Sequence, residues 1–161
     1  LAISITVNNK TFSIPVAGED PGWGEDTTAW IREISRVVNS LFGAGDILES
    51  TAAIANNQSS AQDILGLAFD PGTVRSALVE YSIYRTSDSN AAGNSESGLI
   101  LLSYDNDAVA GSKWVLSRDY AGESNVTIDI TDAGQLTYES SDIGSSNYVG
   151  EIKFRARALT Q

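Results

Sequence analysis

Cysteine and histidine are both absent from the 161 residues. Their absence removes disulfides, thiolate or imidazole zinc sites, cysteine nucleophiles and any Ser-His-Asp triad. Charge is also scarce. Charged residues make up 19% of the chain, below the usual quarter, and Ser, Thr, Asn and Gly fill the difference. Basic residues are scarcest among them: 10 Lys and Arg face 21 Asp and Glu, a formal charge of −11. Such a surface repels phosphate backbones and anionic lipid, so neither a nucleic acid nor a membrane is expected as a partner. No apolar run approaches the roughly 18 residues of a spanning helix. The opening LAISITVNNK lacks the basic segment and apolar stretch of a signal peptide.

Hydrophobic residues form 42% of the sequence, enough for one ordinary core plus a small extension. Ile3, Ile5 and Val7 alternate with polar residues, Asn8-Asn9 offers a tight turn, and Phe12, Ile14 and Val16 continue. This pattern predicts a β-hairpin, which alone is barely stable in water. Ala17 to Gly24, with Pro21-Gly22 and Trp23, reads as a loop.

One long helical signal follows, beginning about Asp26 to Thr28 and running to Phe42. Thr27 or Thr28 can cap it, Glu25 and Asp26 suit the positive end of its dipole, and Gly43 is a plausible terminator. Trp30, Ile34, Val37 and Leu41 are spaced by four, three and four, a seam of two heptads that Ile31 and Val38 widen. Such a stripe serves a helix lying on its own domain. It serves a short, three-stranded intersubunit bundle equally well. These four residues are the candidate oligomer interface, with further copies of the chain as the partner and a homotrimer as the expected assembly.

After a break at Gly43 to Asp46 the pattern turns to strand. The span Asp46 to Leu67 is ambiguous between strand and helix, with a turn at Asn56-Asn57. In Val74 to Thr86, Ala77, Val79, Tyr81 and Ile83 alternate with Ser76, Glu80 and Ser82. Ser87 to Ser97, rich in Gly, Asn and Ser, reads as an exposed, mobile loop. Gly98 to Tyr104 and Lys113 to Arg118 are short strands around a turn at 105–112. Val126, Ile128 and Ile130, then Asp132-Ala133-Gly134, then Leu136 and Tyr138 spell a second hairpin. The last strand turns Ile152, Phe154, Ala156 and Ala158 one way and Lys153, Arg155 and Arg157 the other. Strands at this spacing without intervening helices predict a mainly β fold: an antiparallel, jelly-roll-like β-sandwich over residues 46–161, preceded by a hairpin-and-helix element over residues 1–45.

Chemistry-bearing sets are thin. Asp105, Asn106 and Asp107, and Asp129 with Asp132, read as turn formers, since no calcium-loop spacing is present. The Gly-rich pieces lack a phosphate-loop fingerprint. Lys153, Arg155 and Arg157 can dock an acidic partner or pair with acids on neighbouring strands. No catalytic, cofactor-binding or metal-ligating residues are assigned, and the chain is not expected to be an enzyme.

The segment ITVNNKTFSIPVAGEDPGWGEDTTAWI resembles the opening of virion proteins of tailed bacteriophages, where a short hairpin leads through a GxGWG-like loop into an amphipathic helix. FDPGTVRSALVEYSIYRTSD, VTIDITDAGQLTYESSDI and GEIKFRARAL resemble β-domains of phage fibre and capsid-surface proteins. The chain departs from long fibres in having no shaft repeat. The resemblance implies a non-enzymatic, often trimeric component on the outer surface of the virion. It would be a capsid decoration, cement or short head-fibre subunit partnered by the major capsid protein. The alternative it implies is a tail-fibre or receptor-binding subunit whose segments 87–97 and 105–112 would meet host surface glycans.

Overall fold

The computed structural model describes residues 2–7, 10–15, 23–41 and 43–160, with side chains over 27–37 and 43–160. The chain divides into two compact units, Leu1–Gly43 and Ala44–Gln161.

In the first unit, β1 (Ala2–Val7) and β2 (Lys10–Pro15) pair antiparallel from Ala2 opposite Pro15 to Val7 opposite Lys10. The expected turn at Asn8-Asn9 and most of the loop after Val16 lie outside the described residues. Helix α1 (Trp23–Leu41) packs against β2. It begins earlier than the capping argument predicts, taking in Trp23 and Gly24. That start places Glu25 and Asp26 in the first turn, where exposed amide hydrogens favour carboxylates. The helix stops before Gly43, but the left-handed residue is Gly45, with φ of 88°.

The second unit is a β-sandwich of eight strands. These are β3 (Ile47–Ala53), β4 (Gln58–Ala68), β5 (Val74–Ser87), β6 (Asn90–Tyr104), β7 (Trp114–Gly122), β8 (Val126–Ile130), β9 (Gln135–Ser140) and β10 (Val149–Thr160). One sheet has the order β3-β10-β5-β6-β7 and the other β4-β9-β8, every pair antiparallel. The first strand pairs with the last and the second with the next to last, the nested pairing of a rolled-up hairpin. The middle departs from a full jelly roll, because β5, β6 and β7 run as a meander within one sheet.

Period-2 patterning places the core. Val79, Tyr81, Ile83, Ile100, Leu102, Ile152 and Phe154 project from the five-stranded sheet, and Ile64, Leu67, Ile128, Leu136 and Tyr138 from the other. The ambiguous span 46–67 is two strands, β3 and β4, joined by 54–57; Ala52, Ile54, Ile64 and Leu67 reach this interior, while Leu48 and Leu65 face outward. Trp114 closes one end, tilted against Tyr104 with ring centroids 5.0 Å apart and against Phe69 at 6.4 Å.

The registers give the sandwich two poles. At the near pole lie Gly45, the turn at 70–73, the connection 105–113 and the turn 131–134. At the far pole lie 54–57, the turn between β5 and β6, the link 123–125 and the segment 141–148. The chain enters the domain at the near pole, pinned there as Ala158 N donates to Asp46 Oδ1 (2.6 Å). Gly45 is required, since a Cβ at its positive φ would strike the Val74 side chain.

The segment 87–97 is not a mobile loop. β5 runs to Ser87 and β6 resumes at Asn90, leaving a two-residue turn. Its polar side chains are used: Ser87 Oγ donates to Ile143 O (2.5 Å), Asn90 Nδ2 to Asn94 Oδ1 (2.7 Å), and Asp88 accepts from Ser146 and Asn147. Polar, small residues looked like a loop, but hydrogen bonding to 141–148 makes them a strand end.

Candidate functional site

Two sets of residues bear on function: the helical stripe and a polar cleft at the far pole. On α1, Trp30, Ile34 and Val37 are each half-buried. The side chain of Leu41 lies outside the described residues. Ile31, which widens the seam in sequence, is 53% exposed. Glu33 is buried beside the stripe and accepts from Arg36, Nη2 to Oε1 at 2.6 Å and Nε to Oε2 at 3.1 Å.

The far pole is built around Arg85. On β5 the inward phase of Ala77, Val79, Tyr81 and Ile83 continues to Arg85 and Ser87, so the guanidinium enters the interior and is wholly buried. Its Nη1 donates to the carbonyls of Ser124 (2.9 Å) and Asn125 (3.1 Å). Nη2 donates to Ser141 O (2.6 Å) and Asn56 Oδ1 (3.1 Å), and Nε to the Tyr148 hydroxyl (3.0 Å). The Tyr148 hydroxyl in turn donates to Ile54 O (2.7 Å). One side chain thereby ties together three separate connections between strands: 54–57, 123–125 and 141–148.

Ser124 joins this hub to a second one. Its Oγ donates to Glu96 Oε2 (2.8 Å), as does its backbone N (3.3 Å). The buried Glu96 also accepts from the Tyr81 hydroxyl (2.6 Å) and forms a close ion pair with Arg118. Burial, with the hydrogen bond to Glu96, pushes the Tyr81 phenol up to about 12, against the opposing pull of Arg118. The guanidinium of Arg118 lies 5.5 Å from the Tyr81 ring centroid and 4.8 Å from that of Tyr120.

Above this floor opens a cleft of about 650 Å³. Arg118 and Tyr120 reach it from β7, Glu96 from β6, Glu123 from the following link, Glu139 from β9 and Asn57 from the β3–β4 turn. Tyr120 shares the inward phase of Trp114, Leu116 and Arg118, yet it is 51% exposed. Gly98 stands directly opposite it on β6, and a Cβ there would collide with the Asp119 carbonyl and the Tyr120 Cβ.

The sequence did not single out Arg85, Glu96 or Arg118. The signal was present: extending the strand alternation past Ile83, and back from Ile100, places Arg85 and Glu96 inward. Other expectations place as follows. Asp105 Oδ1 accepts from Asp107 N (2.9 Å), an Asx turn. Asp129 belongs to β8 rather than a turn and bonds Ile130 N (2.8 Å). On the last strand, Arg155 pairs closely with Glu80 and Lys153 with Glu151 at 3.7 Å, so these cations are engaged by neighbouring acids.

No family model matches the chain, and no curated protein matches it. Among solved structures it is similar to the tailspike protein of Acinetobacter phage vB_ApiP_P1, at 14% identity and a TM-score of 0.34. That likeness covers 71% of this chain and 21% of the tailspike chain. A resemblance this distant decides neither activity nor partner.

Proposed function

We propose that this chain is a non-enzymatic structural subunit on the outer surface of a tailed-phage virion, a capsid decoration, cement or short head-fibre protein. Residues 1–45 serve as its attachment and oligomerisation element. Three copies associate through Trp30, Ile34, Val37 and Leu41, and the major capsid protein is the partner beneath. The β-domain of residues 46–161 is the displayed part.

The observation that carries this reading is the polarity of the sandwich. Its chain enters at the near pole, fixed by Gly45 and Asp46, while the far pole is braced by Arg85 and bears the open cleft. A domain tethered at one pole and rigid at the other suits display. The sequence resemblance to phage surface proteins and the acidic exterior support the same reading, since net charge keeps a crowded surface protein soluble.

The test is addition of the purified protein to expanded capsids lacking it. Saturable binding and a raised disruption temperature are expected, with no effect on adsorption of phage to cells. Ile34→Asp with Val37→Asp should give a monomer that binds capsids more weakly. Inhibition of adsorption by the free protein, with no effect on capsids, would overturn the proposal in favour of a receptor-binding subunit.

A further inference from the structure

We infer that the far-pole cleft between β7 and the β8–β9 hairpin is a binding site for a neutral saccharide. This inference goes beyond the virion reading and stands on the cleft alone. Tyr120 occupies a core-facing position that the smaller sheet fails to cover. Arg118 lies over the ring, 4.8 Å from its centroid, and the side chain is still 51% exposed, which leaves aromatic surface open to a ligand. Gly98 opposite lets β6 approach the backbone of β7 closely at this position, since a Cβ there would meet the Asp119 carbonyl and the Tyr120 Cβ. The C–H face of a pyranose is the ligand surface that such a ring stacks against.

The surrounding polar groups set the ligand's charge. Glu96, Glu123 and Glu139 line the cleft against a single cation, Arg118, already committed to Glu96. An anionic ligand meets net repulsion there, in a chain of charge −11. Carboxylates and amides instead suit hydroxyls, which donate and accept. The volume of about 650 Å³ falls within the ~300–1,000 Å³ of small-ligand clefts. The floor is preorganised, because Ser124 and Glu96 are bonded to the two arginine hubs. Of the segments 87–97 and 105–112, to which sequence reading assigned glycan contact, Glu96 alone reaches this cleft.

The experiment is a titration of the isotope-labelled full chain, followed by NMR, with neutral oligosaccharides: glucans, galactans, mannans and N-acetylhexosamine oligomers. Polysialic acid and a quaternary ammonium salt serve as charged probes. At least one neutral oligosaccharide should shift the amides of Gly98, Tyr120 and Asn125. Tyr120→Ala should weaken binding by roughly tenfold, while Tyr120→Phe, which keeps the ring, stays within about threefold of the parent. Tyr84→Ala, at a half-exposed tyrosine outside the cleft, should leave affinity unchanged. The inference is overturned if no neutral oligosaccharide shifts those amides, if only a charged probe binds, or if Tyr120→Ala binds as the parent does. Failure here leaves capsid binding untouched, so the two proposals fail separately.

Discussion

Replacing Arg85 by Met keeps most of the side-chain volume and removes the guanidinium. Five hydrogen bonds go with it, to Ser124 O, Asn125 O, Ser141 O, Asn56 Oδ1 and Tyr148 Oη. Three of the acceptors are backbone carbonyls that then face a thioether. A buried acceptor that loses its partner costs about 1–3 kcal/mol, and Arg85→Met leaves five neutral acceptors in that position. Some acceptors will recover water at the pole, so the lower sum applies: a loss of about 3–5 kcal/mol. Against a domain stability of about 5–15 kcal/mol this is a large fraction, and it lowers Tm by roughly 10–20 °C. Arg85→Lys keeps the charge but offers three donors from one nitrogen in place of the five-donor fork, and should fall between. Urea unfolding followed by the fluorescence of buried Trp114 measures the change, with Ser82→Ala on the outer face of the same strand as reference. A cost below about 1 kcal/mol for Arg85→Met would refute the claim that this side chain holds the far pole together.

Other positions give sharper local tests. Gly134 has φ of 83°, and a Cβ there would collide with the Phe69 carbonyl oxygen. Gly134→Ala should cost about 2–4 kcal/mol by urea unfolding, whereas Gly111→Ala, at a similar φ but in open space, should cost only about 1 kcal/mol; equal costs would show that the collision is relieved. Asp132 accepts from Gly111 N (2.5 Å) and Lys113 N (3.1 Å), and these backbone bonds hold its carboxyl below the usual carboxylate range. A depressed folded pKa contributes stability above the unfolded value near 4, lost as pH falls through the folded value. Asp132→Asn should therefore flatten the fall in stability below about pH 4, and an unchanged acid limb would refute it. The Tyr81 phenol, pushed up to about 12, stays protonated while the unfolded chain's tyrosines ionise near 10. Its contribution is full below about pH 10 and lost between there and 12. Phenolate absorbance should show one fewer tyrosine resisting ionisation to about pH 12 in Tyr81→Phe than in the parent.

Much of the second unit was legible in the sequence. Strict alternation marked β5, β8, β9 and β10, and the turn at Asp132-Ala133-Gly134 fixed the hairpin. Strands failed to show where polarity came from pairing rather than exposure. Ser87 to Ser97 is written in the residues of a loop, yet its first part is a tight turn and the rest pairs with β5, with Ser87 and Asp88 bonded to the 141–148 segment. The arginine hubs were missed for a related reason. Buried Arg85 and Glu96 obey the same alternation as the apolar core, but a charged residue is read as a surface residue unless the phase is carried through it. The cleft depends on where two sheets of unequal width stop covering each other, a relation between β7 and β8 that no local pattern encodes. The stripe Trp30, Ile34, Val37 was legible as one face of an amphipathic helix, while its proposed use between subunits depends on copies of the chain that sequence spacing does not contain.

The proposed virion role is tested most directly by a cryo-electron density map of particles of a tailed phage whose genome encodes this chain. Threefold clusters of the eight-stranded sandwich on the outer face of the head, with the far-pole cleft toward solvent, are the expected result. Density for the sandwich at the tail tip, or its absence from the particle, would contradict it.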